Sequence, residues 1–133
     1  MHQLNKGDGF VLNVPAISQE QVNAYGALLG TNGPIHTDPV FARSTFLKGP
    51  VVQASLVTAP LHDAMSVLFG VDRWLRCGAL DARFISYTRP GEATRVELLV
   101  TESTPYATKL SFEIKKSDGT AVVVGDASME TGK

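Results

Sequence analysis

Apolar positions recur along this chain with two periods, and the change between them divides it. Up to about residue 70 the spacing is helical; beyond about residue 78 it alternates. The first clear helix opens at Ser18, where Ser18 and Gln21 have the spacing of a capping box and Ile17 and Val22 that of a hydrophobic staple. Val22, Tyr25, Leu28 and Leu29 share one face, and Gly30 is a suitable left-handed stop. Residues 31–39 are rich in turn formers and predict an ordered loop. Asp38-Pro39 reads as an N-cap with proline in the first turn of a short helix near 39–45, which carries Val40, Phe41 and Ala42.

Residues 50–69 are the longest apolar segment. Gly49-Pro50 predicts its start and Gly70 its end. Apolar side chains occur almost all round, so this helix is expected to be buried on most sides. Ser55, His62 and Ser66, with Thr58 beside them, form its one polar stripe. Pro60 is expected to kink or split it near Ala59.

Strand patterns follow. In 78–88, Leu80, Ala82 and Phe84 share a face, with a phase slip to Ile85 and Tyr87 that predicts a bulge. Val96, Leu98 and Val100 alternate with polar residues, as do Leu110, Phe112 and Ile114. Ser117-Asp118-Gly119 is a hairpin turn, and Val122 to Met129 a last strand with a bulge expected at Gly125. A short first strand is read over 6–14. The order predicts one α+β domain over residues 1–133. An antiparallel sheet of about five strands should wrap a long central helix, the hot-dog arrangement.

Composition narrows the function classes. In 133 residues, 12 Lys and Arg balance 13 Asp and Glu, which disfavours nucleic-acid or anionic-membrane partners. No apolar run reaches the roughly 20 residues of a membrane span, and Asn13 and Pro15 interrupt the first apolar stretch, so neither span nor signal peptide is read. A cytoplasmic protein is expected. The single cysteine, Cys77, excludes an intrachain disulfide and reads as a small packing residue. Three histidines without metal-ligand spacing predict no metal site, and His2 is uninformative. Arg73, Trp74 and Arg76 read either as a basic-aromatic patch suited to a phosphate or as a solvated loop.

Three segments carry a family resemblance. Gly33-Pro34-Ile35-His36-Thr37-Asp38, followed by Ala42, resembles the N-P-x-H-x-D…A signature of MaoC-like (R)-specific enoyl-CoA hydratases. Lys48-Gly49-Pro50-Val51-Val52-Gln53-Ala54-Ser55 resembles the P-I-V-H-G-M opening of their central helix. Phe84 to Glu92 resembles their F-x-x-P-x-x-P-G-D strand and turn. The resemblance implies a hot-dog fold, a homodimer or larger assembly, and an acyl-thioester substrate, on CoA or a carrier protein, whose pantetheine arm lies at the subunit interface. It implies no cofactor.

The likeness is weakest where the chemistry lies. The family aspartate five positions before the histidine is Thr31 here. The family asparagine before the proline is Gly33, with Asn32 adjacent. The His-Gly pair at the helix start is Gln53-Ala54, and a small hydroxyl residue later on that helix is His62.

Hydration of an enoyl-thioester needs a base for water, an acid for the α-carbon and donors for the enolate oxygen. His36 matches the family histidine, and imidazole titrates near pH 6.5, suited to proton transfer. The competing reading is a loop histidine bonded to the backbone. Thr31 can hold a water but cannot act as a base. Asn32, Gln53, Ala54, Ser55 and His62 are the candidate substrate contacts, with the N–H groups at the helix start as oxyanion donors. His62 is also a candidate to compensate for the absent aspartate, against the reading that Ser66 or Ser55 simply satisfies it. The nearest carboxylate, Asp38, reads better as a cap. A hydratase or dehydratase, a non-catalytic subunit that completes a heteromeric hydratase, and a hot-dog thioesterase all remain open.

Overall fold

The computed structural model describes residues 4–130; His2 lies outside them. Strand β1 is Gly9–Val14 and helix α1 Gln19–Leu29. Two short helices follow, α2 Pro34–Thr37 and α3 Pro39–Arg43. The central helix α4 is Ala54–Phe69 and α5 is Val71–Cys77. Strands β2 Gly78–Phe84, β3 Thr94–Ser103, β4 Ala107–Lys116 and β5 Ala121–Glu130 complete the order. The five strands form one antiparallel sheet, β1-β3-β4-β5-β2, with β1 and β2 at its edges. This is the α+β hot-dog arrangement that the two apolar periods predict.

The core lies between the sheet and α4. Val96, Leu98, Val100, Leu110, Phe112, Ile114, Val123, Ala127 and Met129 point in from the strands, and Val57, Leu61, Met65 and Leu68 meet them from the helix. Burying one such side chain stabilises by about 1.5–3 kcal/mol. The opposite sheet face is mostly polar, with Val11 and Leu99 exposed among its charged side chains. There Arg95 and Lys115 hold the Glu97 carboxyl below its usual range, at 2.7 and 3.0 Å.

Local signals behave as expected at several ends. The Ser18–Gln21 capping box forms, Gly30 closes α1 with φ 75°, and the Asp38 carboxylate accepts from the Val40 and Phe41 N–H groups at 3.1 Å. Gly119 turns the β4–β5 hairpin with φ 89°. The phase slip after Phe84 is a bulge: the Ile85 and Ser86 N–H groups both donate to the Val122 carbonyl, so two residues face one.

Other expectations are corrected. Leu28 and Leu29 are exposed, and α1 instead buries Val22 and Gly26, because Gly26 lies against Thr31 and Asn32, where a Cβ would meet backbone. Residues 34–37 form a helical turn rather than a loop. The central helix starts at Ala54, not 50: Lys48 is left-handed at φ 62°, and the Val51 and Val52 N–H groups donate to the Ile35 and Thr88 carbonyls. Pro60 does not split α4. The break comes at Gly70, φ 89°, where α5 departs at 112°. Nor is α4 covered on most sides, since Ala59, His62, Asp63 and Val67 are exposed. Gly125 is not a bulge. It pairs in register with Phe112 and Ala82, and its bare Cα admits the Asp81 carbonyl, on which a Cβ would fall. Residues 73–77 are helical, and Cys77 is exposed rather than packed. No single helix among the described residues is long and apolar enough to cross a membrane.

Candidate active site

Three segments meet at His36: the start of α1, the 31–38 loop with α2, and the extended 47–53 segment, which the 87–92 turn backs through Thr88 and Arg89. Pro34 opens α2, and the His36 N–H donates to the Gly33 carbonyl at 2.9 Å, so one helical turn presents the imidazole. Gln19, at the start of α1, donates its side-chain N–H to the His36 carbonyl at 2.7 Å and holds the turn from the other side.

The imidazole is half-buried. Its Nδ1 lies 2.7 Å from the Val51 carbonyl. A carbonyl only accepts, so Nδ1 carries the proton. In the neutral ring Nε2 is then the bare nitrogen, the form a general base needs. The backbone-bonded histidine and the catalytic histidine are thus compatible, because the backbone bond selects the basic nitrogen. Val51 also donates its N–H to Ile35 at 3.1 Å, a two-bond clamp on α2.

Gln53 is 3% exposed. Its amide N–H groups donate to the Val22 carbonyl at 2.9 Å and the Thr31 carbonyl at 3.1 Å. With both partners acceptors, the amide orientation is determined. These bonds leave the side chain facing the protein, which corrects the expectation that Gln53 contacts substrate: it ties α1 and the Thr31 loop to the start of α4. Thr31 and Asn32 are exposed, and the Asn32 carbonyl accepts from the Thr37 hydroxyl at 3.1 Å.

Ala54 and Ser55 begin α4, where first-turn N–H groups have no intrahelical acceptor and no side chain caps them. Both residues are exposed, and the Ser55 hydroxyl shares a 2.7 Å hydrogen bond with the Tyr25 hydroxyl. Partial positive charge at a helix start suits an oxyanion.

His62 goes elsewhere. Its Nδ1 accepts from the Trp74 indole N–H at 3.1 Å, while the Ser66 hydroxyl donates to the His62 carbonyl. The hydroxyl partners expected for the ring are replaced by an indole, because α5 folds back at Gly70. Of the two readings of this stretch, the indole of the basic-aromatic patch is buried, and Arg76 pairs with Asp72 at 3.4 Å on the surface of α5. No group of three His, Cys, Asp or Glu side chains among the described residues is placed to hold a metal ion.

Sequence reasoning missed Arg89, which bonds the 47–50 segment, and Tyr25. Arg89 lies inside the third family-like motif, and Tyr25 on the apolar period of α1, so each was assigned to its element rather than to the site.

A family model described as "MaoC like domain" matches residues 8–122. The chain belongs to the MaoC-like domain family. This MaoC-like domain also superposes on solved structures at low sequence identity. An R-hydratase from Pseudomonas aeruginosa in its unliganded form gives TM-score 0.81 at 21% identity, covering 98% of this chain and 83% of that one. An (R)-hydratase from A. caviae involved in PHA biosynthesis gives 0.80 at 21%, covering 96% and 97%. The ChsH1–ChsH2 complex of Mycobacterium tuberculosis gives 0.78 at 10%, covering 97% and 99%. At these identities the likeness establishes the hot-dog fold. No curated protein sequence matches the chain.

Proposed function

We propose that this MaoC-like domain is a hydratase or dehydratase of acyl-thioesters, taking an enoyl or 3-hydroxyacyl group on CoA or a carrier protein. One observation carries the reading: the Val51 carbonyl fixes the His36 proton on Nδ1 and leaves Nε2 basic. In hydration, Nε2 takes a proton from water as the water oxygen bonds to the β-carbon. The C=C electrons move onto the thioester oxygen, where the Ala54 and Ser55 N–H groups stabilise the enolate. The imidazolium then returns its proton to the α-carbon. Water is added across the double bond, and one residue serves as base and acid in turn. Thr31 and Asn32, exposed on the adjoining loop, are assigned to ordering the water and the substrate.

We further propose that the working unit is a dimer joined at β2, an edge strand with an open ladder flanked by exposed Leu75, Phe84, Ile85 and Tyr87. One observation favours a second reading, in which a different hot-dog chain is the partner and supplies the active pair. The Asp38 carboxylate, the nearest to His36 in sequence, is spent on capping α3. The test is purified protein with crotonyl-CoA. Formation of 3-hydroxybutyryl-CoA by the homogeneous chain supports the first reading. No turnover by the chain alone, with turnover after co-purification with an Asp- and His-bearing hot-dog chain, supports the second.

A further inference from the structure

We propose that Arg89 is a positioning residue for His36, acting through the backbone of residues 47–51. The inference rests on the role given to His36 above. The Arg89 guanidinium bridges two carbonyls of one turn: Nη2 donates to Leu47 and Nη1 to Pro50, the latter at 3.3 Å. Between them stand Lys48, left-handed at φ 62°, and Gly49, where a Cβ would press into the guanidinium. A non-glycine residue in that region is costly unless its surroundings hold it.

Arg89 is itself held. Its N–H donates to the Glu92 carboxylate at 2.7 Å, and its guanidinium carbon lies 5.0 Å from the centre of the Tyr87 ring. The next residue along the clamped turn is Val51, whose carbonyl receives His36 Nδ1 and whose N–H holds Ile35. A rigid fork thus fixes the carbonyl that fixes the proton on the base. Lysine carries the charge but has no planar fork to span both carbonyls.

The test compares wild type, Arg89→Met and Arg89→Lys by ¹⁵N NMR of the His36 ring and by crotonyl-CoA kinetics, with folding checked by circular dichroism. In wild type the Nδ1–H tautomer should dominate. In folded Arg89→Met the tautomer signal should shift towards a mixture, and kcat should fall by roughly 10–100-fold while KM changes far less. Arg89→Lys should lie between, and it serves alone if the methionine variant does not fold. The tautomer is read without turnover. If the wild type proves inactive, a tautomer shift in the variant still supports the positioning role, and the inactivity counts only against the hydratase reading. An unchanged tautomer in a folded variant overturns the proposal, whether or not kcat falls.

Discussion

Replacing Gln53 by glutamate tests how the Thr31 loop and α1 are held against the start of α4. Gln53 is 3% exposed and donates two hydrogen bonds to carbonyls. A neutral glutamic acid has one O–H and keeps at most one of them, a loss of about 1 kcal/mol. An ionised one has no donor and faces two carbonyl oxygens from a buried position, so the folded-state pKa should rise well above the unfolded value of about 4.3. The folded state then binds more protons than the unfolded state. Stability relative to wild type is retained below the unfolded pKa and lost as pH rises towards the folded one. If the folded value reaches about 7, the added loss at pH 7 is roughly 3.3 kcal/mol, or roughly 4 in all. That corresponds to a fall of roughly 12–20 °C in melting temperature for a domain of this size. Thermal melts by circular dichroism at pH 4.5 and 7 measure the trend, with Gln53→Met as the control that loses both bonds with no new titration. A Gln53→Glu variant within about 1 kcal/mol of wild type at pH 7, or one lacking the pH trend, would refute the reasoning.

Other substitutions probe the same frame. Asp38→Ala removes the cap of α3 and should cost about 0.5–2 kcal/mol in urea melts, with the fold retained. Thr31→Asp should raise the His36 pKa measured by NMR and increase crotonyl-CoA hydration, because a carboxylate beside an imidazole favours its charged form; if neither responds, Thr31 does not face His36. Ile85→Lys beside the β2 edge should shift the assembly from dimer to monomer in analytical ultracentrifugation, and an unchanged dimer would move the interface elsewhere.

What the chain declares about itself is mainly local. The Ser18–Gln21 box, the Asp38 cap, the Gly119 turn and the alternation in β3 and β4 each depend on residues a few positions apart, and each forms as read. The errors arise where distant groups compete for the backbone. Gly49-Pro50 reads as a helix start, yet Ile35 and Thr88 take the N–H groups of Val51 and Val52, and the helix waits until Ala54. Likewise, periodicity gives α1 a wide apolar face, but the 31–32 loop covers only its Val22–Gly26 side.

The site divides in the same way. The motif marks His36 as a candidate, whereas its Nδ1 bond leaves no local trace, since that bond joins residues 36 and 51 across a turn. The polar stripe on α4 put Ser55 and His62 on one line. The direction of α5 decides the pairing of His62, and that depends on the left-handed Gly70. Gln53 occupies a family site position, and only its depth and its two carbonyl partners reveal a structural task.

The central claim is that His36 Nε2 is the base. It is tested most directly by crotonyl-CoA turnover of His36→Ala, compared with wild type in the assembly in which the protein is purified. The variant should keep its circular dichroism spectrum and oligomeric state while kcat falls by about 10²–10⁴-fold. Wild-type turnover in a correctly folded His36→Ala protein would contradict the account.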